Sequence, residues 1–301
     1  MKELIDFIEK NKIGRMLENV EMKKHSTYRA GGIARLMVFP RNEKALIKLL
    51  KYVRDNKIKN KIIGKGSNTL FSDSLYDGVI IKLDQFNKVT VGKTKIVCGS
   101  GASLIQVANT AVKKGLTGLE FATGIPGTIG GAVYMNAGAY KSDMGYVVES
   151  VKVITPKYEV IKLTNKEMNF HYRTSFLQKN PKYVCIEATI KLQKGDKKAM
   201  EEVVKDRRDR RLASQPLEFP SCGSVFRNPE GLFAGKLIED IGLKGYRIGG
   251  AMVSEKHANF IINYDHATAE DIHSLILYVK EKVKENYDID LKVEQEFVNW
   301  E

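Results

Sequence analysis

Three stretches of this 301-residue chain combine residue types that could do chemistry. The first is Gly64-Lys65-Gly66-Ser67-Asn68, which follows the strand-like residues 61–63. Glycines let a backbone approach a phosphate closely, and successive amides with short Ser and Asn side chains can donate hydrogen bonds to it. Taken alone, the stretch reads equally well as a turn between two strands. The second, Gly124-Ile125-Pro126-Gly127-Thr128-Ile129-Gly130-Gly131-Ala132, continues through Asn136-Ala137-Gly138-Ala139 and carries too many glycines for an ordinary loop. Neither stretch has the G-x-G-x-x-G of a Rossmann turn or the Gly-Lys-Ser/Thr of a P-loop. A large dinucleotide cradled by two loops accounts for both. The third, Pro220-Ser221-Cys222-Gly223-Ser224-Val225-Phe226-Arg227-Asn228-Pro229, sets a hydroxyl beside a flexible glycine with a cation and an amide nearby. Ser224 could deliver a proton or act as a nucleophile, with a plain turn serine as the competing reading. No Ser-His-Asp order or G-x-S-x-G elbow accompanies it, which disfavours a hydrolase. Cys222 has no resolving cysteine close in sequence and reads as buried packing.

These stretches need elements to hold them. Apolar residues at positions 45, 46, 49, 50 and 53 after Asn42 predict an amphipathic helix that follows a strand at 36–39. Strands are expected at 79–83, 89–91 and 96–98, and a helix over 103–114 opened by Ser103 with Gln106 and closed by Gly115. Beyond the glycine-dense stretch, strands return near 148–154 and 183–192. The pattern changes near Gly195: a charged helix at 197–212, strands at 248–253 and 259–263, then a long helix opened by Thr268 and Asp271. That helix aligns Ile272, Leu275, Ile276, Val279 and Val283 on one face. Residues 1–12 read as a further amphipathic helix and not a cleavable signal.

Composition narrows the function classes. Hydrophobic residues make up 43% and charged residues 28%, the mixture of a folded globular chain and not a disordered one. The longest apolar runs fall well short of a membrane span. Cys98, Cys185 and Cys222 are too few and too scattered for a disulfide framework, which fits a reducing cytoplasm, and the five histidines form no metal-ligand spacing, so no metal is expected. A net charge of +13 admits a nucleic-acid surface or a lysine-rich protein with anionic small ligands. The second is favoured, because the excess is spread along the chain and Asp206 and Asp209 interrupt the densest basic stretch. No nucleic-acid or membrane partner is expected.

In order along the chain, these segments resemble the UDP-N-acetylenolpyruvoylglucosamine reductase (MurB) family over nearly the whole length. The match starts at Ser26-Thr27-Tyr28-Arg29-Ala30-Gly31-Gly32 and passes through the Gly64 and Gly124 stretches and His171-Tyr172-Arg173-Thr174-Ser175-Phe176. It ends with the Gly223-Ser224 stretch, Lys256-His257-Ala258-Asn259-Phe260 and Leu291-x-x-Glu294. The resemblance implies an α+β architecture: an FAD-binding fold of the vanillyl-alcohol-oxidase (PCMH) type in two subdomains, 1–80 and 81–195, and an α/β substrate-binding domain over 196–301. The short chain after Arg173 resembles the smaller, second type of the family.

By that resemblance, FAD is held by Tyr28, Arg29, Gly31, the Gly64-to-Asn68 loop, and Gly124, Ile125, Pro126, Gly127, Thr128, Gly130, Gly131 and Ala132. Electrons pass from NADPH through FAD to the enolpyruvyl group of a UDP-amino sugar, bound by Tyr172, Arg227, Asn228 and His257, in a cytoplasmic monomer. An alkene conjugated to a carboxylate can accept the added charge only if cations and acids stabilise it. Arg173 suits the carboxylate, Glu294 would assist protonation or hold a proton on the enolic oxygen, and Ser224 would supply the proton to carbon. Another FAD-dependent oxidase or dehydrogenase of the same fold, acting on a hydroxy acid or alcohol, is the alternative. Family members usually continue the C-terminal glutamate with valine and a basic residue, where this chain has Gln295 and Glu296. They tend to carry glycine and an acid after the Gly-Ala-Tyr matched at 138–140, where this chain has Lys141 and Ser142.

Overall fold

The computed structural model describes residues 1–300. The chain divides into two compact units, the first built from residues 1–18, 36–64 and 78–209, the second from 19–35, 65–77 and 210 onward.

In the first unit the helix Glu43–Asp55 forms as its periodicity predicts: Asn42 Oδ1 accepts the Ala45 N–H at 3.0 Å, and Ala45, Leu46, Leu49, Leu50 and Val53 are buried. Leu4 and Ile8 of the helix Lys2–Lys10 share that core with Leu36, Val38, Val79 and Ile81. Burying a leucine side chain fully contributes about 1.5–3 kcal/mol, so Leu46 and Leu49 alone anchor the helix firmly. A second core lies on a five-stranded sheet of order Val160–Thr164, Val148–Ile154, Val184–Lys191, Lys95–Gly99, Val89–Val91, antiparallel throughout. The helices Leu104–Lys113 and Ile129–Met135 contribute to it.

Ser103 stands at the N-cap of Leu104–Lys113 but makes no side-chain cap bond. The expected capping box is replaced by backbone: Leu104 N–H donates to the Gly127 carbonyl at 3.1 Å and Ile129 N–H to the Ala102 carbonyl at 2.9 Å. The helix start is thereby tied to the glycine-dense segment.

In the second unit, Ala269–Tyr287 carries a full capping box between Thr268 and Asp271 and buries Ile272, Leu275, Ile276, Val279 and Val283. It belongs to a core with the antiparallel sheet Arg247–Ile248, Ala251–Val253, Ile261–Asn263. The single strand expected at 248–253 is instead a hairpin. Gly249 has φ +52°, and a Cβ on Gly250 would lie 2.1 Å from the Asp265 carbonyl oxygen, so the chain reverses where only glycine fits. Glu296–Val298, which the sequence does not signal, pairs in parallel with Thr69–Phe71. No helix among the described residues is long and apolar enough to cross a membrane, and no metal-ligating cluster occurs among them.

Candidate active site

Gly64 closes the strand end of the first unit against Thr128: a Cβ there would approach Thr128 Oγ1 to 2.6 Å. Thr128 caps the helix Ile129–Met135, accepting the Gly131 N–H at 3.3 Å. Gly130 sits against Ser100, where a Cβ would meet the Ser100 Cβ at 2.9 Å, and Gly130 N–H donates to the Ser100 carbonyl at 2.7 Å. Gly64, Gly130 and Thr128 thus form one close-packed corner. Gly124, Ile125 and Gly127 around it are half-exposed, Pro126 and Gly131 exposed, and Ala132 buried.

Arg173 lies at the tip of a tight turn in the same unit. His171 and Thr174 exchange both backbone hydrogen bonds at 3.0 Å, leaving Tyr172 and Arg173 as the two loop residues. Arg173 has φ +54°, a left-handed conformation that costs a side-chain-bearing residue about 1–2 kcal/mol. Its guanidinium donates to the Gly138 carbonyl at 3.0 Å, and the Arg173 carbonyl accepts Gln178 Nε2 at 3.0 Å. Asn136 braces the turn, its Nδ2 donating to the His171 carbonyl at 2.8 Å while its Oδ1 accepts the Gly145 N–H at 2.8 Å. Tyr172 projects outward, 56% exposed. Lys141 and Tyr140 form another two-residue turn, both at positive φ, between Gly138–Ala139 and Ser142–Asp143. That is the geometry that favours glycine where this chain carries lysine.

Ser224 and Glu294 come together in the second unit. Ser224 bridges Phe260, Phe226 bridges Val293, Glu294 N–H donates to the Val225 carbonyl at 2.8 Å, and Arg227 N–H to the Lys292 carbonyl at 2.9 Å. The serine strap therefore runs antiparallel to residues 292–294. Asn259, 4% exposed, clamps it: Oδ1 accepts the Phe226 N–H at 2.9 Å and Nδ2 donates to the Phe226 carbonyl at 2.8 Å. His257 Nδ1 accepts the Asn259 N–H at 3.2 Å, and burial pulls the imidazole below its ordinary value. Asn228 Oδ1 holds the Ala234 N–H at 3.1 Å, and Arg227 Nε is buried with no partner among the described residues.

The residues after Gly64 join this unit. A Cβ on Gly66 would lie 2.1 Å from the His25 carbonyl, and its φ of +65° requires glycine equally. Asn68 Nδ2 donates to the Glu294 carbonyl at 3.0 Å. Lys65 is exposed and Ser67 half-exposed. Arg29 is exposed at φ +53°, while Gly31, at φ +120°, packs against Phe71. Tyr28 is wholly buried, its hydroxyl donating to Gln295 Oε1 at 3.0 Å. Cys222 is buried, with Sγ 3.2 Å from Thr27 Oγ1 and 3.4 Å from the Gly66 carbonyl.

Residues 215–298 match the C-terminal domain family of UDP-N-acetylenolpyruvoylglucosamine reductase, and residues 34–164 match the FAD binding domain family. The chain is 45% identical over 287 residues to the UDP-N-acetylenolpyruvoylglucosamine reductase of Caldanaerobacter subterraneus subsp. tengcongensis, covering 95% of each chain. The chain belongs to the UDP-N-acetylenolpyruvoylglucosamine reductase family. The relative from Anoxybacillus flavithermus is 44% identical over 299 residues, 99% of each chain. The crystal structure of the Thermus caldophilus MurB superposes with a TM-score of 0.81 at 31% identity, covering 94% of this chain and 98% of that one. The α+β fold with a PCMH-type FAD-binding domain, expected from the resemblance, is the fold of this family member.

One buried polar group beside the glycine-dense segment is left for a bound cofactor to meet. Ser100, 2% exposed, carries a hydroxyl with no partner among the described residues, directly behind the Gly130 backbone. A buried unpaired hydroxyl is costly unless something else meets it. Sequence reasoning missed Ser100, Asn136 and Asn259. Asn259 stood in a motif from which His257 alone was singled out, and Ser100 sits in an unremarked Gly-Ser-Gly after a strand.

Proposed function

We propose that the chain reduces the enolpyruvyl group of UDP-N-acetylenolpyruvoylglucosamine to give UDP-N-acetylmuramate, with NADPH as reductant and FAD as bound cofactor, in peptidoglycan precursor synthesis. The observation that carries this reading is the pairing of the Ser224 strap with the segment bearing Glu294, which sets a hydroxyl and a carboxylate on adjoining chain segments. Bound FAD would supply two-electron redox chemistry between NADPH and the conjugated alkene. Residues 1–80 and 81–195 serve it through Tyr28, Arg29, Gly31, the Gly64-to-Asn68 loop and the 124–132 segment, with the Ser100 hydroxyl added. Residues 196–301 serve the sugar nucleotide. The enzyme acts in the cytoplasm as a monomer.

Arg173 grips the substrate carboxylate with paired hydrogen bonds and stays charged while negative charge builds there. Its strained turn, braced by Asn136 and Gln178, fixes the guanidinium in advance of binding, so little reorganisation is left for the reaction. Glu294 holds a proton at the enolic oxygen. Ser224 gives its proton to the carbanion-like carbon, the one partner basic enough for so weak an acid. Tyr172, Arg227, Asn228 and His257 hold the sugar nucleotide, and the unpartnered Arg227 Nε is suited to an anionic oxygen.

Anaerobic stopped-flow absorbance tests this reading by following each half-reaction separately. NADPH should bleach the flavin of the wild type and the enolpyruvyl sugar should restore it. Ser224→Ala should be reduced by NADPH at near the normal rate, while its reoxidation slows about 100- to 10,000-fold. Equal slowing of both phases would remove Ser224 from proton transfer. A wild-type flavin that the enolpyruvyl sugar cannot reoxidise would end the assignment.

A further inference from the structure

We propose that Gln295 is a positioning residue for Glu294 and the Ser224 strap, acting through its buried side-chain amide. The proposal rests on the reading of Glu294 and Ser224 given above. Gln295 sits at a bend between the bridge residue Val293 and the strand Glu296–Val298. Gln295 is 5% exposed, whereas Glu294 and Glu296 on either side are half-exposed. Residue 295 therefore points inward where residue 294 points out.

The main chain around it is held in register. Glu294 N–H donates to the Val225 carbonyl at 2.8 Å, Asn68 Nδ2 donates to the Glu294 carbonyl at 3.0 Å, and Glu296 N–H donates to the Asn68 carbonyl at 2.9 Å. These bonds fix how far along its neighbours the segment lies. The roll of the segment about its own axis, which aims the Glu294 carboxylate, is fixed by the side chain at 295.

That side chain is engaged at both ends. Its Oε1 accepts the Tyr28 hydroxyl at 3.0 Å, and its Nε2 lies 3.5 Å from the carbonyl of Cys222, two residues before Ser224. The tyrosine end is rigid: Tyr28 is wholly buried, its N–H donates to Ser26 Oγ at 3.2 Å, and its carbonyl accepts Asn263 Nδ2 at 2.9 Å. One amide thus links the fixed Tyr28, the strap bearing Ser224 and the segment bearing Glu294. An apolar side chain at 295 would strand a buried phenol hydroxyl, and the segment would have to roll to find it another partner.

The test compares Gln295→Met, Tyr28→Phe and the double variant in three measurements on the flavin-loaded protein. Gln295→Met should slow flavin reoxidation by the enolpyruvyl sugar about 10- to 100-fold, the cost of misplacing a reacting group by roughly an ångström, and leave reduction by NADPH within about threefold. The double variant, with both polar partners gone, should regain the thermal midpoint lost by Gln295→Met yet keep the slow reoxidation. Amide hydrogen exchange across residues 292–296 should quicken about tenfold in Gln295→Met, matching a loss of about 1.4 kcal/mol in local stability. Wild-type reoxidation in Gln295→Met overturns the proposal, as does a double variant whose rate recovers together with its midpoint. Should the wild-type flavin not respond to the enolpyruvyl sugar, the functional reading fails by itself. The exchange rates then decide the positioning, and unchanged exchange at 292–296 overturns it.

Discussion

Replacing Asn259 by leucine removes the clamp on the serine strap and leaves both backbone groups of Phe226 without their partners, since Oδ1 and Nδ2 of Asn259 serve its N–H and its carbonyl. Phe226 is 2% exposed, so water cannot step in without opening the core. A buried backbone group left unpaired costs about 1–3 kcal/mol, and two such groups give about 2–6 kcal/mol for Asn259→Leu. The neighbouring bond from Val225 N–H to the Asn259 carbonyl belongs to the backbone and survives the substitution. Urea unfolding followed by tryptophan fluorescence is the assay, because the single tryptophan, Trp300, lies in the same unit and donates to the Leu70 carbonyl at 3.1 Å. With a urea slope of about 3 kcal/mol per molar, the upper end of the usual range as suits a chain of this size, the midpoint should fall by about 0.7–2 M. Asn259→Asp supplies the control of sign. The introduced carboxylate keeps one acceptor but turns a negative oxygen toward the Phe226 carbonyl, so its folded-state pKa rises above the unfolded value of about 3.9. Stability from a raised carboxyl is present below the unfolded value and is lost as pH rises through the folded one, so the deficit of Asn259→Asp should be large at pH 7 and shrink on acidification. A leucine variant within about 1 kcal/mol of wild type, or an Asn259→Asp deficit indifferent to pH, would refute the clamp.

Lys141→Gly should raise stability by about 0.5–1 kcal/mol, read as a higher thermal midpoint, because glycine relieves φ +59° in the two-residue turn while giving back part of the gain as unfolded-state entropy. His257 has a folded-state pKa lowered by burial, so its contribution is fully present above the ordinary value of 6.5 and is lost as pH falls below it. Protonation there ends the bond from Asn259 N–H to Nδ1, and His257→Gln should flatten the slope of stability against pH in that range. Cys222→Ser should keep turnover within about tenfold, or roughly 1.4 kcal/mol of barrier. Burial pushes that thiol up, so it stays protonated at neutral pH, and a hydroxyl can keep its contacts with Thr27 and Gly66. A loss of several orders of magnitude with flavin still bound would reinstate thiol chemistry.

What the sequence made legible was local. Asn42 three residues before Ala45, and Thr268 three before Asp271, announce helix starts because the bonds they make close within one turn. The buried face of Ala269–Tyr287 is likewise a matter of spacing alone. The helix Ile129–Met135 was hidden inside the glycine-dense stretch, since Gly130 and Gly131 are poor helix formers and the turn is stabilised from outside by Thr128 and by close approach to Ser100. Nothing in the letter for arginine reveals that Arg173 occupies a left-handed turn position. Ser224 is legible from its own neighbours and Glu294 only through the family resemblance, while the pairing of their segments depends on Phe226, Val293 and Asn259, residues whose own types suggest only core or loop. Glu296–Val298 had no local signal, because its partner strand lies far away in sequence.

The parallel pairing of Thr69–Phe71 with Glu296–Val298 also sets an order of events during synthesis. The second unit is assembled from stretches that leave the ribosome at widely separated times, and most of the first unit is made between them. From residue 71 to residue 296 the ribosome must add 225 residues, a wait of about 10–45 s at roughly 5–20 residues per second. For that interval Leu70 and Phe71, which end fully buried, have no strand beside them, and Tyr28 lacks its Gln295 acceptor. A nascent chain that stalls between residue 71 and residue 296 therefore presents an unpaired apolar edge to every other chain around it.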